Sequence, residues 1–192
     1  MTKNERLHRT NNSEGFGMLE VLAALFVVTI ALTSLLALFG HAIASMTLMQ
    51  DLLIAKQKSR EALESIYTAR NTSQITFDMI QNVSDSGIFL DGYQPLKRPN
   101  PTSGTGDGLI GTADDGAIET LTLPGADGYL NTGDDEVRTL TAFERQIDID
   151  PILFADSSVN PDVRKVMVTI RYNTPMGSQQ TYTVESYISR FR

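Results

Sequence analysis

Two features of this 192-residue chain carry side chains whose chemistry calls for a partner. The first is Glu20, which stands at the head of residues 21–39, nineteen residues without charge or proline in which only Thr29, Thr33 and Ser34 interrupt the hydrocarbon. A carboxylate held in or beside lipid costs a few kcal/mol and marks a functional residue with a partner. The second is a repeat twenty residues apart, DGLIGTADDG from Asp107 and DGYLNTGDDE from Asp127, which aligns Asp107, Asp114 and Asp115 with Asp127, Asp134 and Asp135. Calcium takes about six to eight hard oxygens, which carboxylates and the carbonyls of glycine-bent loops supply, so these six aspartates are a candidate calcium site. Neither copy has the alternating carboxylates and distal glutamate of an EF-hand. The competing reading is a pair of solvated Asp-Gly turns flanking a strand at 118–123.

An apolar helix must position Glu20. At 1.5 Å per residue the run from 21 to 39 spans roughly 28 Å, about one bilayer core. Lys3, Arg6 and Arg9 precede it and Lys56 is the first lysine or arginine after it, so the positive-inside rule keeps the N-terminus cytoplasmic and sends the rest outward. A cleaved secretory signal would use the same basic start and the small-x-small pattern Ala42-Ile43-Ala44. Its apolar region would be shorter, roughly 7 to 15 residues, and it would leave Glu20 without a role. A plain signal anchor, with Glu20 merely near the cytoplasmic interface, is the other alternative.

The segment GFGMLE, Gly15 to Glu20, followed by the apolar run, resembles the precursors of type IV pilins and type II secretion pseudopilins. The resemblance covers about thirty residues and implies a 1–15 leader, a cut by a prepilin peptidase after Gly15, and N-methylation of the new terminal residue, Phe16. Gly17 stands where Thr or Ser is common in that family, and Glu14 where a basic residue is common. The resemblance gives Glu20 a partner: as the fifth residue of the mature chain it would meet the terminal amine of Phe16 in a neighbouring subunit, one buried charge offsetting another during assembly. The closing stretch VRKVMVTIRYNTPMGSQQTYTVESYIS looks like PilV-like minor pilins. The partners implied are other pilin or pseudopilin subunits, the peptidase, inner-membrane lipid and the assembly platform.

The helical signal outlasts the membrane. Ile43, Met46, Met49, Leu52, Leu53, Leu63, Ile66 and Tyr67 recur at three- and four-residue steps with Asp51, Lys56, Lys58, Arg60 and Glu61 on other faces, which predicts one helix from a 16–40 membrane or filament-core half into a 41–70 amphipathic half. A stop at 71–73 and a short extra helix at 74–83 follow. The extracytoplasmic head is then 71–192, with Asp/Gly-rich loops at 91–136 and a sheet at 137–192. There Phe143, Arg145, Ile147 and Ile149, then Val166, Val168, Ile170 and Tyr172, then Tyr182, Val184, Ser186 and Ile188 alternate with polar neighbours, three antiparallel strands with a turn at 173–178. One long helix and an antiparallel meander make an α+β fold, similar to the pilin head.

Composition narrows the function. The net charge is −7 and basic residues form no cluster beyond pairs, so no nucleic-acid groove is expected. With no cysteine there are no disulfides and no thiolate chemistry, and the two histidines, His8 and His41, both precede the head, so a histidine triad or histidine metal site is not expected there. Asp148 and Asp150 share the solvent face of one strand. The expectation is a structural, non-enzymatic subunit of a pilus or secretion pseudopilus. The alternative is a membrane-anchored, calcium-dependent binding module that never polymerises.

Overall fold

The computed structural model describes residues 17–100, 106–174 and 177–191. Gly15, Phe16 and the expected leader lie outside them. The chain is α+β: helix α1 (Met18–Asn71) is followed by strands β1 (Gln94–Pro95), β2 (Thr120–Leu123), β3 (Glu136–Thr139), β4 (Phe143–Leu153), β5 (Val159–Asn173) and β6 (Gln179–Ser189). It divides into two compact units, Met1–Ser45 and Met46–Arg192.

In the first unit, α1 is long and apolar enough to cross a membrane, and no residue of its most apolar window is buried. The hydroxyls of Thr29, Thr33 and Ser34 donate to the carbonyls of Leu25 and Ile30 at 2.7–2.9 Å, so their polarity is absorbed by the helix itself, as a lipid-facing helix requires.

The second unit holds the core. The buried face of α1 runs Asp51, Ile54, Ala55, Ser59, Ala62, Leu63, Ile66, Ala69 and Arg70, a period near 3.6 in which small residues alternate with large ones. The expected stripe is therefore only partly right. Leu63 and Ile66 are buried, but Met46, Met49 and Leu53 are about two-thirds exposed. After Asn71 the helix ends through Ser73, whose φ of 62° is the left-handed turn of a C-terminal cap, with Gln74 N–H returning to the Ala69 carbonyl at 2.8 Å. In place of the helix expected at 74–83 there are two single 3₁₀ turns, Phe77–Met79 and Val83–Asp85. The first turn, with Ile80 at its end, puts Phe77 and Ile80 into the core, and the second buries none of its residues.

Strands β4, β5 and β6 form the expected antiparallel meander, each longer than its alternating core, and β1 pairs with β4 to give the order β1-β4-β5-β6. Ile147 lies opposite Val168 and Val168 opposite Val184, so one apolar face runs through the sheet. The register shifts between Pro151 and Leu153, where proline withholds a ladder donor. The strand expected at 118–123 is β2, and it forms with β3 a separate two-stranded sheet.

Candidate functional site

Glu20 lies in the first turn of α1, exposed, on the apolar run it heads. Its N–H bonds the Gly17 carbonyl at 2.9 Å, and the helix dipole there favours a negative side chain. No basic side chain of the described residues forms an ion pair with it.

The two Asp-Gly copies fold alike. Gly108 and Gly128 have φ of 68° and 74°, and Gly111 and Asn131, also aligned, have φ of 88° and 68°; the left-handed backbone at these places is what glycine and asparagine tolerate. In the first copy Asp114 accepts from the Asp107 N–H (2.7 Å) and the Thr112 hydroxyl (2.7 Å), Asp107 from the Leu109 N–H (2.8 Å), and Asp115 from the Gly111 N–H (2.9 Å). In the second, Asp134 accepts from Asp127 N–H (3.2 Å) and Thr132 (2.7 Å), Asp127 from Tyr129 N–H (2.8 Å), and Asp135 from Asn131 N–H (2.7 Å). These oxygens are the hard donors calcium takes. Among the described residues, however, no three histidine or acidic side chains gather closely enough to hold a metal ion; each of the six carboxylates is turned to donors within its own loop.

Alike in bonding, the copies differ in packing. Leu109 and Ile110 of the first are buried, while Tyr129 and Leu130 of the second are exposed. The Thr132 hydroxyl and nearby backbone amides hold Asp134 below the usual carboxylate range. For Asp114, burial pushes upward, and the Thr112 hydroxyl and backbone amides outweigh it, so it too is lowered. For Asp115 burial prevails over the Gly111 amide and Arg145, with Asp114 and Asp107 adding repulsion, and its carboxyl is pushed up to about 6.

Asp115 belongs to a buried charge network that the sequence did not single out. Arg145, which occupies the inward phase of β4 beside Phe143 and Ile147, reaches Asp115 at 3.9 Å and Glu119 at 3.6 Å. Lys58 of α1 pairs with Glu119 and, at 2.7 Å, with Glu61. Burial and the flanking carboxylates oppose each other in both cations. The carboxylates win at Lys58, which is raised, and burial wins at Arg145, which is lowered. A second link, Asp51 to Arg138 at 2.9 Å, ties the helix to β3. Asp51 and Lys58 fall off the apolar stripe of the sequence, yet both lie against the head. The available signal was a guanidinium on the buried phase of an alternating strand, which demands carboxylates. Asp148 and Asp150 stay on the outer face, Asp148 beside Gln146 and Asp150 toward Lys165. No family model, curated protein or solved structure matches this chain.

Proposed function

We propose that this chain is a type IV pilin-like structural subunit of the PilV-like minor class. A prepilin peptidase cuts it after Gly15, the new terminus Phe16 is N-methylated, and the chain is held in the inner membrane with its head outside. It is then packed through its N-terminal helix into a pilus or secretion pseudopilus.

The observation that carries this reading is the first half of α1: an apolar surface with nothing buried and a single carboxylate in its opening turn. Such a surface needs lipid or the helices of other subunits around it. Once in either, Glu20 needs a cation. The cation that cleavage would create is the α-amine of Phe16 on a neighbouring copy. A simple anchor answers the first need and leaves the second unanswered.

Mass spectrometry of the membrane-extracted protein tests this. The expected chain begins at Phe16 with a methylated amine, and Gly15→Arg leaves the precursor uncut. A start at Met1 or Thr2, or a cut after Ala44, would overturn the reading and favour an anchored module or a secreted one.

A further inference from the structure

The inward phase of β5 is apolar at Tyr172, Ile170, Val168 and Val166 and then ends on a charge, Arg164. In register Arg164 lies between Pro151 of β4 and Ile188 of β6. The chain around the first 3₁₀ turn holds its guanidinium in place: Nη1 donates to the carbonyls of Phe77 at 2.6 Å and Ile80 at 2.7 Å, and the group stands 4.4 Å from the centre of the Phe77 ring. A second guanidinium, that of Arg190, lies 4.9 Å from the same ring.

The two cations are not matched alike. Arg190 pairs with Asp78 at 2.9 Å and with Asp162 at 3.4 Å. Arg164 forms no ion pair among the described residues, and its Nε and Nη2 donate to none of them. Burial holds its guanidinium below the usual arginine range; Asp78 opposes this and Arg190 adds to it. With Nη1 committed to two carbonyls, the edge left over is that of Nε and Nη2, two parallel donors spaced for a bidentate oxyanion. An arginine fixed in this way has already given up freedom that binding would otherwise cost.

Arg164 and Arg190 both line a cavity of about 500 Å³, within the range of small-ligand sites. Two further donors stand on its lining. The Ser86 hydroxyl bonds none of the described residues, and the Asn160 amide accepts from the Asp162 N–H through Oδ1 while its nitrogen donates to none of them. Pro151 and Val159 supply an apolar wall. Asp85 is the one carboxylate on the lining among the described residues, and it stands exposed, where water and salt screen it.

We propose that this cavity binds a small organic carboxylate, with its two oxygens on the Nε and Nη2 edge of Arg164 and its apolar body against Pro151 and Val159. Inorganic phosphate shares the oxyanion chemistry but has no hydrocarbon to cover that wall, so it fits less well.

The site is testable with the full isotope-labelled chain in detergent and benzoate as the probe. Benzoate is expected to shift the Arg164 Nε–H and Ser86 amide resonances saturably. Benzamide, its neutral counterpart, and inorganic phosphate are each expected to bind about tenfold more weakly or less. Arg164→Lys keeps the charge and loses the fork, and is expected to weaken benzoate about tenfold when read at the Ser86 amide. Val159→Glu adds a carboxylate to the wall at an exposed position, and is expected to weaken benzoate comparably even if the lysine variant misfolds. Three results would overturn the proposal: no saturable shift at millimolar benzoate, equal affinity for benzamide or for phosphate, or benzoate affinity unchanged in Val159→Glu or in folded Arg164→Lys.

Discussion

Arg145 shows how a single residue organises the head. Its guanidinium is almost wholly buried, and Asp115 Oδ1, Glu119 Oε1 and Arg145 Nη1 each lack a hydrogen-bond partner, so the three depend on one another's charge. Removing the cation leaves Asp115 in low dielectric without a cation and Glu119 with Lys58 alone, and Arg145→Met is expected to destabilise the head by about 3–5 kcal/mol in urea denaturation, more than loss of packing alone. Asp115 adds a pH signature. Its folded pKa of about 6 lies above the usual 3.8, so the folded chain holds the proton more tightly than the unfolded one. That contribution is fully present below about pH 4 and is lost as pH rises through 6. Asp115→Asn cannot titrate, so the stability of wild type relative to the variant should improve on acidification from pH 7 to pH 4. A difference that stays flat across this range would show that Asp115 is not protonated in the fold.

Among the elements, the two Asp-Gly loops are one design used twice. Four hydrogen bonds recur at aligned positions in both, but the first rests on the core through Leu109 and Ile110 and the second stands in solvent. The sequence leaves two readings for both, a calcium site or a pair of solvated turns, and each loop does place three carboxylates within nine residues. A bound ion would have to draw those carboxylates from their own amides. On the calcium reading, the melting temperature of the chain rises in millimolar calcium and falls with chelator, by about 2.7 kcal/mol of stabilisation at a hundredfold excess over Kd. Replacing Asp114, Asp115, Asp134 and Asp135 with Asn removes the response. Coincident melting curves would leave the loops as turns held by their own donors.

At the scale of the whole molecule, the central question is what surrounds the exposed half of α1. If Glu20 sets the register of assembly, Glu20→Val should insert into the membrane as well as wild type or better, since it removes a costly charge, yet be depleted from sheared filaments. Equal incorporation of the variant would separate the carboxylate from assembly. A bilayer and a filament would make the same demands on the apolar side chains and on the carboxylate; only a filament of cleaved copies would supply the neighbouring α-amine that Glu20 needs.

The sequence by itself determined the elements whose signal is periodic and local. The apolar run, the long helix and the three alternating strands could be read because hydrophobic spacing and backbone geometry share the periods of 3.6 and 2. Tertiary structure decided what depends on contacts distant in sequence. The buried seam of α1 uses Ala55, Ser59 and Ala62 and leaves Met46, Met49 and Leu53 exposed, and nothing local marks which side the sheet will take. Asp51, buried, and Lys58, half-buried, are drawn in by their partners Arg138 and Glu119, which lie 87 and 61 positions away. The two copies of the Asp-Gly repeat are equivalent in sequence, and only the surrounding fold packs one and exposes the other. The place of β6 at an edge of its sheet follows from strand order, which no stretch of β6 encodes: its own alternation specifies the two faces of the strand, whereas an edge depends on whether another strand arrives.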